Sequence, residues 1–89
     1  GGERIVIDCD SKTTVALFEN YIDLTEAYVS DELDSLHLVF ITDRVIPTKH
    51  YKDLDLLGNK TLQLRKIKPN KKYNGKLAIP LTQEILNNV

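Results

Sequence analysis

The sequence predicts a single small α+β domain. Three features predict it: an alternating apolar segment at residues 5–9, a helix-spaced apolar stripe just after it, and further strand-like segments divided by turn residues. The chain has 89 residues and 10.1 kDa. A domain this size buries about 60% of its unfolded surface, enough for one modest core and too little for a large catalytic cleft as well. Hydrophobic residues at 42% and charged residues at 28% are the balance of a globular domain. No apolar run approaches the ~18–20 residues of a membrane span. The opening residues lack the charged-then-apolar order of a secretory signal. Gly1-Gly2 reads as the remnant of a cleaved tag, so the natural start is expected upstream.

Taken in order, Ile5, Ile7 and Cys9 alternate with Val6 and Asp8, which is a strand with one buried face. Asp10 to Thr14 is turn and cap chemistry, with Thr14 the expected cap. Val15, Phe18 and Ile22 follow at helical spacing, predicting a helix over roughly residues 15–28 that packing must hold. Ser30 to Ser35 is an acidic connection. His37 to Ile41 is a strand with Leu38 and Phe40 on one face and Val39 and Ile41 on the other. A short strand is expected at Val45-Ile46, ended by Pro47. Tyr51 to Leu57 is expected to be compact, around one small helical turn. Thr61 to Ile67 reads as a strand with Leu62 and Leu64 inward. The domain thus divides into a core at 3–67, a basic loop at 68–75 and a C-terminal strand and helix extension at 76–89.

The single cysteine excludes an internal disulfide and a cysteine-based zinc site. Cys9 is expected to be a small buried hydrophobe, and a reduced, intracellular setting fits it. The net charge of −1 hides an asymmetry: residues 1–43 hold ten acids against two bases, −8, and residues 44–89 hold ten bases against three acids, +7.

The stretch from Leu38 to Ile67 resembles the second half of ubiquitin without a gap. Phe40, Val45, Asp53-Leu54-Asp55-Leu56 and Thr61-Leu62-Gln63-Leu64 carry the likeness. Upstream, Arg4 to Asp10 resembles the second strand, and Thr14, Val15, Phe18 and Ile22 resemble the cap and buried face of the main helix. The resemblance covers residues 4–67 and implies a ubiquitin-like β-grasp, a mixed sheet packed on one main helix. It departs in three places. The family's first strand is missing, and either precedes residue 1 or is supplied by Lys76 to Ile79. In the second case Pro80 ends the strand and a short helix follows. The rival reading makes Pro80 the first helical residue, with Leu81, Ile85 and Leu86 on one face. No diglycine tail follows the last strand, so conjugation is not expected. The family's apolar patch is also incomplete, since Gln63 and Arg65 stand beside Val39.

No catalytic residues, metal or cofactor are expected. Cys9 and His37 are read onto opposite faces, away from the geometry a nucleophile and its base require, and His50 reads as a turn residue. Asp31, Glu32 and Asp34 read as a solvated loop without calcium-loop spacing. The expected protein-binding site is the exposed sheet face, with His37, Val39, Ile41, Gln63 and Arg65 projecting together. The expected function is a non-catalytic protein–protein interaction or adaptor domain of a larger protein or assembly. One alternative is phosphate binding to nucleic acid through Arg65, Lys66, Lys68, Lys71, Lys72 and Lys76, with Tyr73 stacking, although a pI near 6.1 is low for such a module. Another, by resemblance, is a small ubiquitin-like accessory subunit of a bacterial secretion system. Glu19, Asp23 and Glu26 on one helix side, against the basic half, leave open a homo-oligomer through opposite charges.

Overall fold

The computed structural model describes residues 3–58 and 71–89. The first strand, β1 (Glu3–Cys9), lies in the middle of the sheet because both its edges are paired. It is followed in the chain by β2 (Ala27–Ser30), β3 (Leu36–Thr42), β4 (Lys49–Tyr51), β5 (Leu54–Leu57) and β6 (Lys71–Tyr73), in the spatial order β4-β5-β1-β3-β2-β6. All these pairings are antiparallel. A two-residue strand, β7 (Ile79–Pro80), runs parallel to β3 at Phe40 and Ile41, beyond the point where β2 ends. Two short helices, α1 (Lys12–Phe18) and α2 (Gln83–Leu86), complete an α+β domain.

The alternation seen in the sequence sets the core face. Ile5, Ile7 and Cys9 of β1 stand beside Phe40, Leu38 and Leu36 of β3, all fully buried. Leu54 and Leu56 extend this face on β5. Val15 and Phe18 of α1 and Ile85 of α2 close over it. Tyr21 meets Phe40 edge-on at 6.2 Å, the favoured geometry for two ring quadrupoles. Cys9 is buried as expected, and burial, aided by the neighbouring Asp8 charge, pushes its thiol pKa up to about 12.

The helix differs from the expected 15–28 span. It begins earlier because Ser11, not Thr14, is the cap: the Thr14 amide donates to Ser11 Oγ at 3.1 Å, and the Ser11 amide donates to Thr14 Oγ1 at 3.2 Å. It ends at Phe18, and one 3-10 turn (Glu19–Tyr21) carries the chain away. Ala27 to Ser30, read as helix and acidic connection, instead forms β2. Tyr28 and Val29 suit a pleated surface, and the free edge of β3 supplies the hydrogen bonds. Glu26 correspondingly leaves the acidic helix side and is buried, accepting from Arg4 Nη1 at 2.7 Å and from the Tyr28 hydroxyl at 2.8 Å.

Residues 45–48 form no strand, and the expected helical turn at 51–57 is a tight hairpin. Lys52-Asp53 makes the loop, with Asp53 at φ 58°, a left-handed conformation that Asp accepts more readily than most residues. Its carbonyl accepts from the Asp10 amide and the Thr14 hydroxyl, tying the hairpin to the start of α1. The expected strand at 76–79 is reduced to β7, and Pro80 stands outside α2, whose cap is Thr82. The expected strand at Thr61–Ile67 lies outside the described residues.

Asn74 locks the C-terminal extension to the sheet. Its side-chain amide donates to the carbonyls of Ile22 and Thr25, both at 2.6 Å, and its Oδ1 accepts from the Ala27 and Lys76 amides. The amide group thus makes all four of its usual bonds. Thr25, fully buried, accepts from the Ile79 amide and donates to the Val39 carbonyl, so the same turn places β7 against β3.

Candidate functional site

The sheet face opposite the core carries a polar row that crosses six strands. Register puts His50, Asp55, Asp8, His37, Tyr28 and Tyr73 side by side on β4, β5, β1, β3, β2 and β6. His37 Nε2 lies 2.9 Å from Asp8 Oδ1, with both side chains 7% exposed. His50 Nδ1 lies 2.8 Å from Asp55 Oδ1 at the exposed end of the row. At the far end Tyr28 and Tyr73 stack at 5.1 Å. Burial and the bond to Glu26 push the Tyr28 hydroxyl pKa up to about 12.

Two residues of the expected binding face, His37 and Val39, are buried instead of exposed. Alternation puts His37, Val39 and Ile41 on the outer side of β3, but His37 and Val39 are each only 6% exposed and Ile41 is half-buried. β3 is an interior strand, flanked by β1 on one side and by β2 and β7 on the other. His37 faces Asp8, and Val39 stands beside the half-buried Val6, which in turn stands beside the buried Leu57. Gln63 and Arg65 lie outside the described residues.

The basic segment is also rearranged. Arg65, Lys66 and Lys68 lie outside the described residues. Lys71 to Tyr73, expected in a loop, form β6 against β2. Lys71 is buried beside Ser30, and Lys72 pairs with Asp31 at 3.0 Å. Tyr73 keeps half its surface exposed, but one ring face is taken by Tyr28.

Asp8, Asp10 and Asp55 bring carboxylate oxygens within 4.8 Å of one another at the end of β1, a spacing that a hard cation can bridge. Asp55 is already hydrogen-bonded to His50, and Asp8 lies 2.9 Å from His37 Nε2, so both carboxylates have histidine partners without a metal. Asp31, Glu32 and Asp34 are exposed, as expected of a solvated loop.

A concave feature lies at the other end of β3 from the acidic loop. The connection from β3 to β4 folds over the core with Ile46 buried beneath it. Gly58 permits this close approach: a Cβ there would lie 2.0 Å from the Ile46 carbonyl oxygen, and its amide donates to Thr48 Oγ1 at 2.9 Å. Between this connection, β4 and α2 runs a groove of about 270 Å³. Ile46, Pro47, Leu56, Leu86 and Val89 form its apolar lining, and Arg44, Lys49, Tyr51 and Gln83 supply polar and cationic atoms. No carboxylate side chain lines it among the described residues. Its volume is below the ~300–1,000 Å³ of small-molecule sites, so it suits an anchoring side chain better than a cofactor. The sequence holds two signals of this groove. Val45-Ile46-Pro47 is an apolar run in a turn, and the C-terminal stripe Leu81, Ile85 and Leu86 needs a partner surface.

No protein family, curated protein or solved structure was found to match the chain. Among the described residues no helix is long and apolar enough to cross a membrane.

Proposed function

We propose that this chain is a non-catalytic protein-interaction domain whose binding site is the groove between the β3–β4 connection and α2. One observation carries the reading: an apolar trough with the exposed cation Lys49 on its lining and no carboxylate side chain among its described lining residues. Such a trough complements an apolar side chain flanked by acids, because the anchor is desolvated while the flanking charges remain at a wet rim. The groove replaces the sheet face centred on His37 and Val39, since buried side chains offer a partner no contact. The β-grasp relationship belongs to the same proposal. A strand followed at once by a helix and a sheet with one parallel pairing support it, while the antiparallel β1–β5 pairing speaks against it. Phosphate binding is the weaker reading, because Lys71, Lys72 and Tyr73 are committed within the fold.

The test is a titration of the nitrogen-15-labelled protein with a blocked linear peptide, Glu-Glu-Leu-Glu-Glu, beside a control with serine for leucine. The leucine peptide is expected to shift the amides of Lys49, Tyr51 and Leu86, and Lys49→Glu is expected to abolish the shifts. Equal responses to both peptides, or none at about 1 mM, the region of −4 kcal/mol binding, would overturn the groove as the site.

A further inference from the structure

We infer that the occupant of the groove is a second copy of this chain, entering with the β2–β3 loop. The inference rests on the groove reading above and names its partner. That loop, residues 31–35, runs Asp-Glu-Leu-Asp-Ser, an exposed leucine among three carboxylates. Leu33 is 45% exposed and held at φ 58°, a conformation that leucine rarely adopts. It is fixed there by its neighbours. The Leu33 amide donates to the Ser30 carbonyl, and the Ser30 hydroxyl donates to Asp34 Oδ1 at 2.7 Å while accepting from the Asp34 and Ser35 amides. An apolar tip is therefore presented in one preset shape, which lowers the ordering cost of docking.

Position excludes self-capture. The loop enters β3 at Leu36 and the groove begins after β3 ends at Thr42, so the seven-residue strand holds the two features apart. At about 3.4 Å per residue the separation is roughly 20 Å. Leu33 of one molecule can reach only the groove of another. The two surfaces differ, so the contact is heterologous and leaves a free loop and a free groove at each end, which extends rather than closes. The charges match in the same sense: Glu32 and Asp34 flank the apolar tip, and Lys49 lines the apolar trough. One loop in one groove is smaller than the ~1,200 Å² of a stable interface, so association is concentration-dependent and weakens with salt.

Sedimentation of the full chain from about 10 µM to about 1 mM tests this across the range of weak complexes. The wild type is expected to gain mass with concentration, and less so in high salt. Leu33→Asn, which removes the tip while tolerating the left-handed backbone, and Lys49→Glu are each expected to stay monomeric while keeping the wild-type circular dichroism. An equimolar mixture of the two variants has one intact loop and one intact groove per pair, and is expected to stop at heterodimers. A monomeric wild type at 1 mM that still binds the leucine peptide overturns the second copy and leaves the groove reading standing. A monomeric wild type that ignores the peptide overturns both. Variants that associate like the wild type place self-association on another surface and overturn the inference.

Discussion

The two faces of the central strands reach similar burial by opposite chemistry. On the inner face of β3, Leu36, Leu38 and Phe40 are fully buried among aliphatic and aromatic side chains, and every contact adds without need of a specific partner. On the outer face, His37 is just as inaccessible, yet its burial depends on Asp8 at 2.9 Å. The inner face tolerates loss in proportion to volume. The His37–Asp8 pair on the outer face is tolerable only while both members are present, because an unmatched buried polar group loses its hydration without compensation.

Substitutions should separate these two regimes. Phe40→Ala, which removes a fully buried ring, is expected to cost about 3–5 kcal/mol. The check is the urea midpoint, and a loss below about 1 kcal/mol, small for a core aromatic, would place Phe40 outside the core. Asp8→Ala is expected to cost about 1–3 kcal/mol by orphaning His37, and adding His37→Leu should restore part of that loss. Strict additivity in the double-mutant cycle would show that the pair is not coupled.

The next effect is on pH dependence. The folded thiol of Cys9 titrates at about 12 against 9.0 in the unfolded chain. A raised folded value means that the folded state holds its proton longer, so this contribution is complete below pH 9 and is lost as pH rises toward 12. Urea midpoints measured from pH 8 to 11 should therefore fall more steeply for wild type than for Cys9→Ala, and parallel curves would refute the shift. The smallest effect is expected outside both faces. Leu33→Asn relieves a left-handed leucine and should raise stability by up to about 1 kcal/mol; a clear loss would mean that Leu33 packs within its own molecule.

What the sequence by itself determined is local and periodic. Ile5, Ile7, Cys9, Leu38 and Phe40 were legible as core because side chains alternate along a strand wherever the strand pairs. The acidic loop around Leu33 and the burial of Cys9 were legible for the same kind of reason. Tertiary pairing decided what periodicity cannot carry. The stripe Val15, Phe18, Ile22 fits a long helix, but the free edge of β3 recruits residues 27–30 as a strand and leaves α1 with two turns. Outer-face polarity reads as exposure in a sequence, and only the register that sets Asp8 beside His37 makes burial of both possible. Asn74 gives no signal in isolation, since its role depends on carbonyls about 50 residues earlier in the chain. The groove arises in the same way, from a Gly58 that allows two backbones to meet and a C-terminal helix folded beside β4. Side-chain direction is set by neighbours along the chain, whereas accessibility is set by whatever the rest of the chain brings alongside.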